Sequence, residues 1–302
     1  MNGEYLHDVV DWEDLRHFAA FVDAGSLSAA AVRLGVDHAT VARRIAALEA
    51  SLAVKLVDRR TRVPSLTAEG ERIAALVTRM ETEAFAVVRA ARGLRPALGG
   101  VVSISAPPTI ANALIAPRLA SLRTRHPEIR VRLLGEKRLA KLARREADIA
   151  IRLVRPTESG LVRRRLGTIV FELYATASYL SGRRPATYEF IGFDRDDDAL
   201  PQQRWLVDVA GERPIALRTN DLESQLSAAC AGVGVALLPG FLATRHRELR
   251  RVAVRQRPIA REVWLVVHGD LRPAPAVRAV MDFLVEATSE LAGPAPAPPR
   301  RR

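Results

Sequence analysis

The chain has 302 residues, 46 Lys+Arg against 34 Asp+Glu for a formal net charge of +12, and one cysteine. That length suggests about two domains, and it buries enough surface to fold without disulfides. The lone Cys230 excludes an intramolecular disulfide and points to a reducing compartment. Met1 to Asp11 has neither a basic n-region nor an apolar h-region, so no secretory signal is expected. The longest uncharged stretch, Ser224 to Thr244, contains Gly232, Gly234 and Pro239 and is not expected to cross a membrane. A soluble cytoplasmic protein is expected.

The charge alone does not establish a nucleic-acid partner. All the cations except Lys55, Lys137 and Lys141 are arginine, alanine is abundant, and both follow from a GC-rich coding sequence. Much of the excess lies far from the N-terminus, in Arg118 to Arg145, Arg163 to Arg165 and Arg245 to Arg257. Local motifs therefore have to decide.

The segment Trp12 to Leu52 predicts three helices. Leu15, Phe18, Ala19 and Val22 form one apolar face, and Ala24-Gly25-Ser26 ends the first helix and caps the next. Ser28 to Leu34 is short and alanine-rich, and Gly35-Val36-Asp37 is a tight turn with Asp37 placed to cap the third helix. Val41, Ile45, Leu48 and Leu52 face inward on that helix, leaving His38, Ala39, Ala42 and Arg43 on the other side. Two helices joined by such a turn predict a helix-turn-helix, which docks the N-terminal end of its second helix in the major groove. Lys55 to Leu66 then places two short apolar runs around a basic tip, which reads either as a solvated hairpin or as a β-wing reaching phosphates.

Residues 12 to 70 resemble the N-terminal domain of LysR-type transcriptional regulators. The matching residues are Phe18, Ala24-Gly25-Ser26-Leu27, Ala30-Ala31, Leu34, Val41-Ala42-Arg43, Ile45, Leu48-Glu49, Leu52, Leu56, Arg59 and Leu66-Thr67-Ala68-Glu69-Gly70. Three positions depart from the family pattern: Ala42 stands where Ser is usual, Ala53 where Gly is usual, and Val57 where Phe is usual. The first removes a hydroxyl near the DNA. The resemblance implies a winged helix-turn-helix over 1–67. His38, Ala39 and Arg43 would then lie at base edges, with Ala42 on the same DNA-binding face; Thr40 and Arg44 would flank them, and Arg59, Arg60 and Arg62 would engage phosphate or the minor groove. The alternative for His38 is a surface residue beside the Asp37 cap.

Thr67 predicts the start of a long helix over 68–97. Ile73, Val77, Met80, Ala84, Val87, Ala91 and Leu94 recur at spacings of four and three, an unbroken heptad seam. Such a seam implies a partner helix, the alternative being a helix lying on its own domain. The family resemblance implies a linker helix that pairs two subunits, in a dimer or a tetramer. Arg95-Pro96 and Gly99-Gly100 then end the helix in a joint.

From Val101 short β-like runs alternate with helical ones. Strands are predicted at Val101–Ser105, Ile129–Leu133, Asp148–Leu153, Phe171–Tyr174, Phe190–Phe193, Ile215–Arg218, Val235–Leu238 and Val263–Val267. Helices are predicted at Ile110–His126, Leu139–Glu146, Leu222–Ala231 and Ala276–Leu291. This order predicts a parallel α/β sheet. Pro127, Ala147-Asp148-Ile149-Ala150-Ile151-Arg152 and Ala231-Gly232-Val233-Gly234-Val235-Ala236-Leu237-Leu238-Pro239 continue the family resemblance. It implies a two-lobed effector domain of the type 2 periplasmic-binding-protein kind over 100–292. Lobe 1 would comprise about 100–167 and 269–292, lobe 2 about 168–268, with the chain crossing near 167–170 and 268–271. A small molecule would bind between the lobes. Pro108, Thr109 and Ile110 at a helix start, Arg152 at a strand end, and Thr219-Asn220 before another helix make an anionic effector the expectation. The alternative is that Thr109 and Asn220 only cap helices and that Arg152 pairs with Asp148 or Glu146.

Other chemistries find little support. Gly232-Val233-Gly234 follows a helix and precedes a strand, the reverse of a phosphate-binding turn. The six histidines show no metal-ligand spacing, no nucleophile elbow occurs, and no cofactor is expected. Cys230 reads as a packed thiol, or else as a redox sensor lacking a resolving partner. Residues 293–302 form a basic Pro/Ala-rich tail expected to be disordered. The combined expectation is a non-enzymatic, effector-responsive regulator that binds double-stranded DNA sequence-specifically. The rivals are an architectural DNA binder without effector control and a solute-binding or enzymatic α/β domain.

Overall fold

The structure is a computed structural model that describes residues 10–60, 64–93, 98–136, 147–194 and 200–292. Arg62, Leu94, the helix predicted at 139–146 and the tail at 293–302 lie outside the described residues. The chain divides into two compact units, Met1–Ala91 and Arg92–Arg302. No helix among the described residues is long and apolar enough to cross a membrane.

The first unit holds α1 (Trp12–Ala24), α2 (Leu27–Leu34), α3 (His38–Leu52), a ribbon of β1 (Val57–Asp58) and β2 (Ser65–Leu66), and nearly all of α4 (Ala68–Gly93). The turn chemistry expected from the sequence is present. Ser26 accepts the Ala29 N–H and Asp37 the Thr40 N–H, while Gly25 and Gly35 end α1 and α2 at φ 73° and 69°. The Thr67 hydroxyl accepts the Gly70 N–H at 2.9 Å. Phe18, Ala30, Val41, Ile45, Leu48 and Leu56 are sealed in one core.

Glu49 ties the ribbon to α3. Its carboxylate is buried, yet it accepts the N–H groups of Leu56 at 2.9 Å and Val57 at 3.1 Å, with Lys55 Nζ at 3.2 Å. Burial pushes its pKa up, but the Val57 and Leu56 N–H bonds and Lys55 outweigh burial and hold it below the usual carboxylate range. Gly70 makes the adjoining contact possible, since a Cβ there would stand 2.1 Å from the Leu56 carbonyl oxygen. Ala53 ends α3 in the left-handed region at φ 52°, where the family pattern has glycine.

The second unit is organised on a nine-stranded sheet. Its strands are β3 (Gly100–Ala106), β4 (Ile129–Gly135), β5 (Ile149–Arg152), β6 (Leu161–Thr176), β7 (Phe190–Gly192), β8 (Ile215–Arg218), β9 (Val235–Pro239), β10 (Leu249–Val252) and β11 (Ile259–His268). The order is β4-β3-β5-β11-β6-β9-β7-β8, with β10 on β6. β3 is parallel to β4 and β5, and β7 is parallel to β8 and β9. Between these two parallel groups run β6 and β11, paired antiparallel along all of β11 and from Leu161 to Phe171 of β6. The unit's longer helices are α5 (Leu119–Arg125), α6 (Pro201–Ala210), α7 (Leu222–Cys230) and α8 (Pro275–Ala287).

Three expectations change. The register shifts between Val263 and Trp264, opposite Gly167 and Arg165, and Trp264–Val267 then pair with β5. The chain therefore returns to the first parallel group at 263–264 and not at 268–271. In an antiparallel pair the outgoing and returning crossings must face each other.

The helix expected over 110–126 is broken instead into an α turn (Pro108–Ile110), a π segment (Ala111–Ile115), a 3-10 turn (Ala116–Arg118) and α5. Pro117 has no N–H to offer the Ala113 carbonyl, and Arg245 supplies that donor at 2.8 Å. Finally, α6, β10 and the first half of β6 are not expected from the sequence. Pro201 sits in the first turn of α6, whereas β10 and early β6 lie in arginine-rich runs that mask their alternation.

Ala53→Gly should relieve the left-handed backbone and stabilise the first unit by about 1 kcal/mol. Urea unfolding checks this: the midpoint should rise at constant m value, and an unchanged or lower midpoint would show that no strain is held there.

Candidate functional site

Two surfaces carry the chemistry, one in each unit. In the first, the Asp37 cap fixes the start of α3, so that His38, Ala39 and Arg43 are exposed and Ala42 is half-exposed beside them. Arg43 makes no hydrogen bond or ion pair with another described residue. Thr40 is turned to the cap, its hydroxyl donating to Asp37 at 3.1 Å. Arg44 lies one residue, and so about 100°, further around the helix. It binds Asp11 at 3.0 Å and Asp14 at 3.1 Å, which makes it a brace between α3 and α1 in the free protein.

At the ribbon, Arg60 is exposed but clasps Asp58 at 2.7 Å, and this contact draws the Asp58 carboxyl down to about 2. Arg59 lies 3.8 Å from the Glu49 carboxylate. Asp58 and Glu49 thus offset two of the ribbon cations, a feature not expected from the sequence.

The heptad seam of α4 divides along its length. Val77 is buried in the core of its own unit, and Ile73 and Met80 pack against it. Ala84, Val87 and Ala91 are exposed, Val87 at 71 %. Trp12, Leu76, Met80, Ala84 and Val87 line one apolar groove. The alternative, a helix lying on its own domain, thus describes the first half of the seam only.

In the second unit a cavity of about 310 Å³ opens where the two parallel groups of strands meet. Of the residues read as effector-binding, Pro108, Thr109, Arg152 and Asn220 line it, and Thr109 and Arg152 are buried. Ile110 and Thr219 do not line it. Ile110 is sealed in the core, and the Thr219 hydroxyl accepts the Asp221 N–H at 3.3 Å. Asp221, not Asn220, caps α7. Arg152 pairs with Glu158 at 2.9 Å, and Asp148 accepts the Ser103 N–H and hydroxyl, while Glu146 lies outside the described residues. The Glu158 carboxyl is held below the usual range by its own backbone N–H and by Arg152.

Sequence reasoning missed the second cation of this cavity. Arg261 donates to the Gln202 side-chain oxygen at 3.0 Å and to the Leu153 carbonyl at 3.1 Å. Both acceptors are neutral, no carboxylate among the described residues pairs with it, and burial pushes its pKa down. The signal was available: period two places Arg261 on the face of Val263 and Leu265, which are buried. Phe193, Leu200 and Leu222 add apolar walls, and Glu136 and Asp221 add carboxylates.

Comparison with known proteins agrees with this geometry. Residues 12–71 match the family described as bacterial regulatory helix-turn-helix protein, lysR family, and residues 95–289 match the LysR substrate binding domain. The chain is 32% identical to the AhcY transcriptional activator HvrB of Rhodobacter capsulatus, over 91% of this chain and 98% of that protein. It is 30% identical to the Mau operon transcriptional activator of Paracoccus denitrificans, over 95% of this chain and 100% of that protein. The solved structure of CrgA, a LysR-type transcriptional regulator from Neisseria meningitidis, is similar at a TM-score of 0.55 and 26% identity, covering 92% of this chain and 99% of that one. The chain therefore belongs to the LysR family of transcriptional regulators, DNA-binding proteins with an effector-binding domain and not enzymes.

Proposed function

We propose that this regulator reads a specific DNA sequence through the start of α3 and that a small anion in the cavity of the second unit modulates it. The observation that carries the effector half is Arg261, a half-buried guanidinium whose hydrogen bonds to described residues go to neutral oxygens. A charge half-withdrawn from water without a counter-ion carries a desolvation cost, and an anionic ligand offsets it. Arg152 stands across the register on β5, and Thr109 and Asn220 border the same space. An architectural DNA binder would have no use for such a cavity.

In the DNA-binding unit, His38, Ala39, Ala42 and Arg43 form the base-reading face, with Arg59 and Arg60 toward phosphate. Arg60 must exchange Asp58 for a phosphate on binding. The apolar groove along α4 takes the same helix of a second copy, which gives a homodimer, with a tetramer as a further assembly of such dimers. The protein acts in the cytoplasm, where its DNA lies.

Two outcomes follow for DNA. Arg43→Ala should cost about 1–3 kcal/mol on the preferred site and relax preference at one base pair. Asp58→Asn frees Arg60, so it should tighten binding to every duplex and steepen the salt slope by about one. Anisotropy titrations on preferred and random duplexes measure both, and equal losses for Arg43→Ala on the two duplexes would contradict its base-reading role.

For the effector, small mono- and dicarboxylates titrated calorimetrically against the full chain should include a binder. Arg261→Met should weaken that binder about tenfold or more, while leaving the melting temperature unchanged or raised because an uncompensated charge is gone. Unchanged affinity in both Arg261→Met and Arg152→Ala would place the ligand outside this cavity.

A further inference from the structure

A second polar cluster lies away from the effector cavity and takes no part in the function above. α7 ends at Cys230, and the chain turns through Gly240–Ala243 so that residues 246–248 come back against that end before β10 begins. There the Cys230 Sγ lies 3.7 Å from His246 Nδ1, and the same nitrogen lies 3.6 Å from the Glu248 carboxylate. One atom from each of the three residues falls within 4.8 Å of the others. The sequence hides this set, because Cys and His stand 16 residues apart and only the turn before β10 joins them.

We propose that Cys230, His246 and Glu248 form a binding site for a divalent ion of the zinc class. Tetrahedral Zn²⁺ places its bonds at about 2.3 Å to sulfur, about 2.0–2.1 Å to nitrogen and about 2.0–2.2 Å to oxygen, so neighbouring ligand atoms sit roughly 3.4–3.6 Å apart. The two separations to His246 Nδ1 need to close by only a fraction of an ångström, and the sulfur–carboxylate separation starts within 4.8 Å. A thiolate and a carboxylate together match the charge of a dication, and the thiol proton leaves to solvent as the ion enters. Sulfur and imidazole select against Mg²⁺ and Ca²⁺, which require oxygen ligands.

Three protein ligands leave a fourth position open. It faces a cleft of about 600 Å³ that Asn112 and Glu223 also line, so water or the Glu223 carboxylate can complete the shell. His246 and Glu248 are partly exposed, at 37% and 48% of their side-chain surface, which gives an ion a route in.

The position has a structural consequence. The cleft lies between the π segment at Asn112–Ala113, on one side of the sheet crossing, and α7 with residues 242–248 on the other. Arg245, next to His246, already crosses it to Ala113 and Glu290. The opposite end of α7, at Asp221 and Leu222, lines the effector cavity. An ion here therefore fastens the far end of a helix whose near end faces the effector.

The test is a Co²⁺ titration of the purified, tag-free, reduced full chain, followed by absorption. Cys230 is the only cysteine, so a thiolate-to-cobalt charge-transfer band can come from no other residue. One equivalent per chain should produce that band together with the visible bands of tetrahedral Co²⁺, and Zn²⁺ should erase them. Cys230→Ser should abolish the charge-transfer band. His246→Ala and Glu248→Gln should each weaken binding on the order of tenfold or more, with circular dichroism matching that of the parent chain. Absence of the band at stoichiometric Co²⁺, or affinities unchanged in His246→Ala and Glu248→Gln, would overturn the site.

Discussion

The effector-binding half depends on the pairing of β6 with β11. These are the two strands that pass from one parallel group to the other, and they do so side by side. Their register shift at Val263/Trp264, opposite Gly167, is where the sheet changes partners: beyond it Trp264 pairs with Arg152 of β5. Gly167 is fixed by packing, since a Cβ there would stand 1.9 Å from the Leu291 carbonyl oxygen. The same pair sets the cavity. Arg261 precedes the shift on β11 and Arg152 is held just beyond it, so the two cations converge because the strands cross there.

The charge of +12 is better understood by asking which cations lack a carboxylate. Arg44 braces α1, Arg60 holds Asp58, Arg152 holds Glu158, Arg125 holds Glu286, and Arg118 and Arg245 share Glu290. The exposed pairs among these contribute little to stability and much to orientation. Arg43 on α3 and Arg261 in the cavity have no carboxylate partner among the described residues. Unlike Arg183 and Arg213, which bond backbone carbonyls at turns and helix ends, each faces a candidate ligand surface. In each case a guanidinium without a carboxylate partner is placed where a ligand with acceptor groups would meet it. The net charge over Trp12 to Arg62 is small, with eight basic and six acidic residues, so position on the fold matters more than total charge.

Much of the first unit was legible because its signals are local. Ser26, Asp37 and Thr67 cap the helices they precede, and the apolar spacing of α1 and α3 became the core. The resemblance also flagged Ala53, and the left-handed backbone there explains why glycine is usual. What escaped were properties of pairs far apart in the chain. Arg44 looked like a neighbour of Arg43 until Asp11 and Asp14 claimed it, and Asp58 neutralises a cation that a linear reading counts as free. The break at Pro117 could be foreseen, but not that Arg245 would satisfy the carbonyl it leaves. Arg261 was hidden because arginine in an arginine-rich chain draws no notice, although its parity with Val263 and Leu265 marks it as inward-facing.

The chain combines a reading head, a helix with an exposed apolar stripe, and an effector unit whose cavity holds a cation with no carboxylate partner among the described residues. The central claim is that the head discriminates sequence as part of a symmetric assembly. In vitro selection of the full chain from a random duplex library tests this most directly. The account predicts enrichment of an inverted repeat whose half-sites are separated by whole helical turns, roughly 10–10.5 base pairs or a multiple, as two copies of α3 related by a two-fold axis require. A pool that stays random after repeated rounds at physiological salt would contradict it.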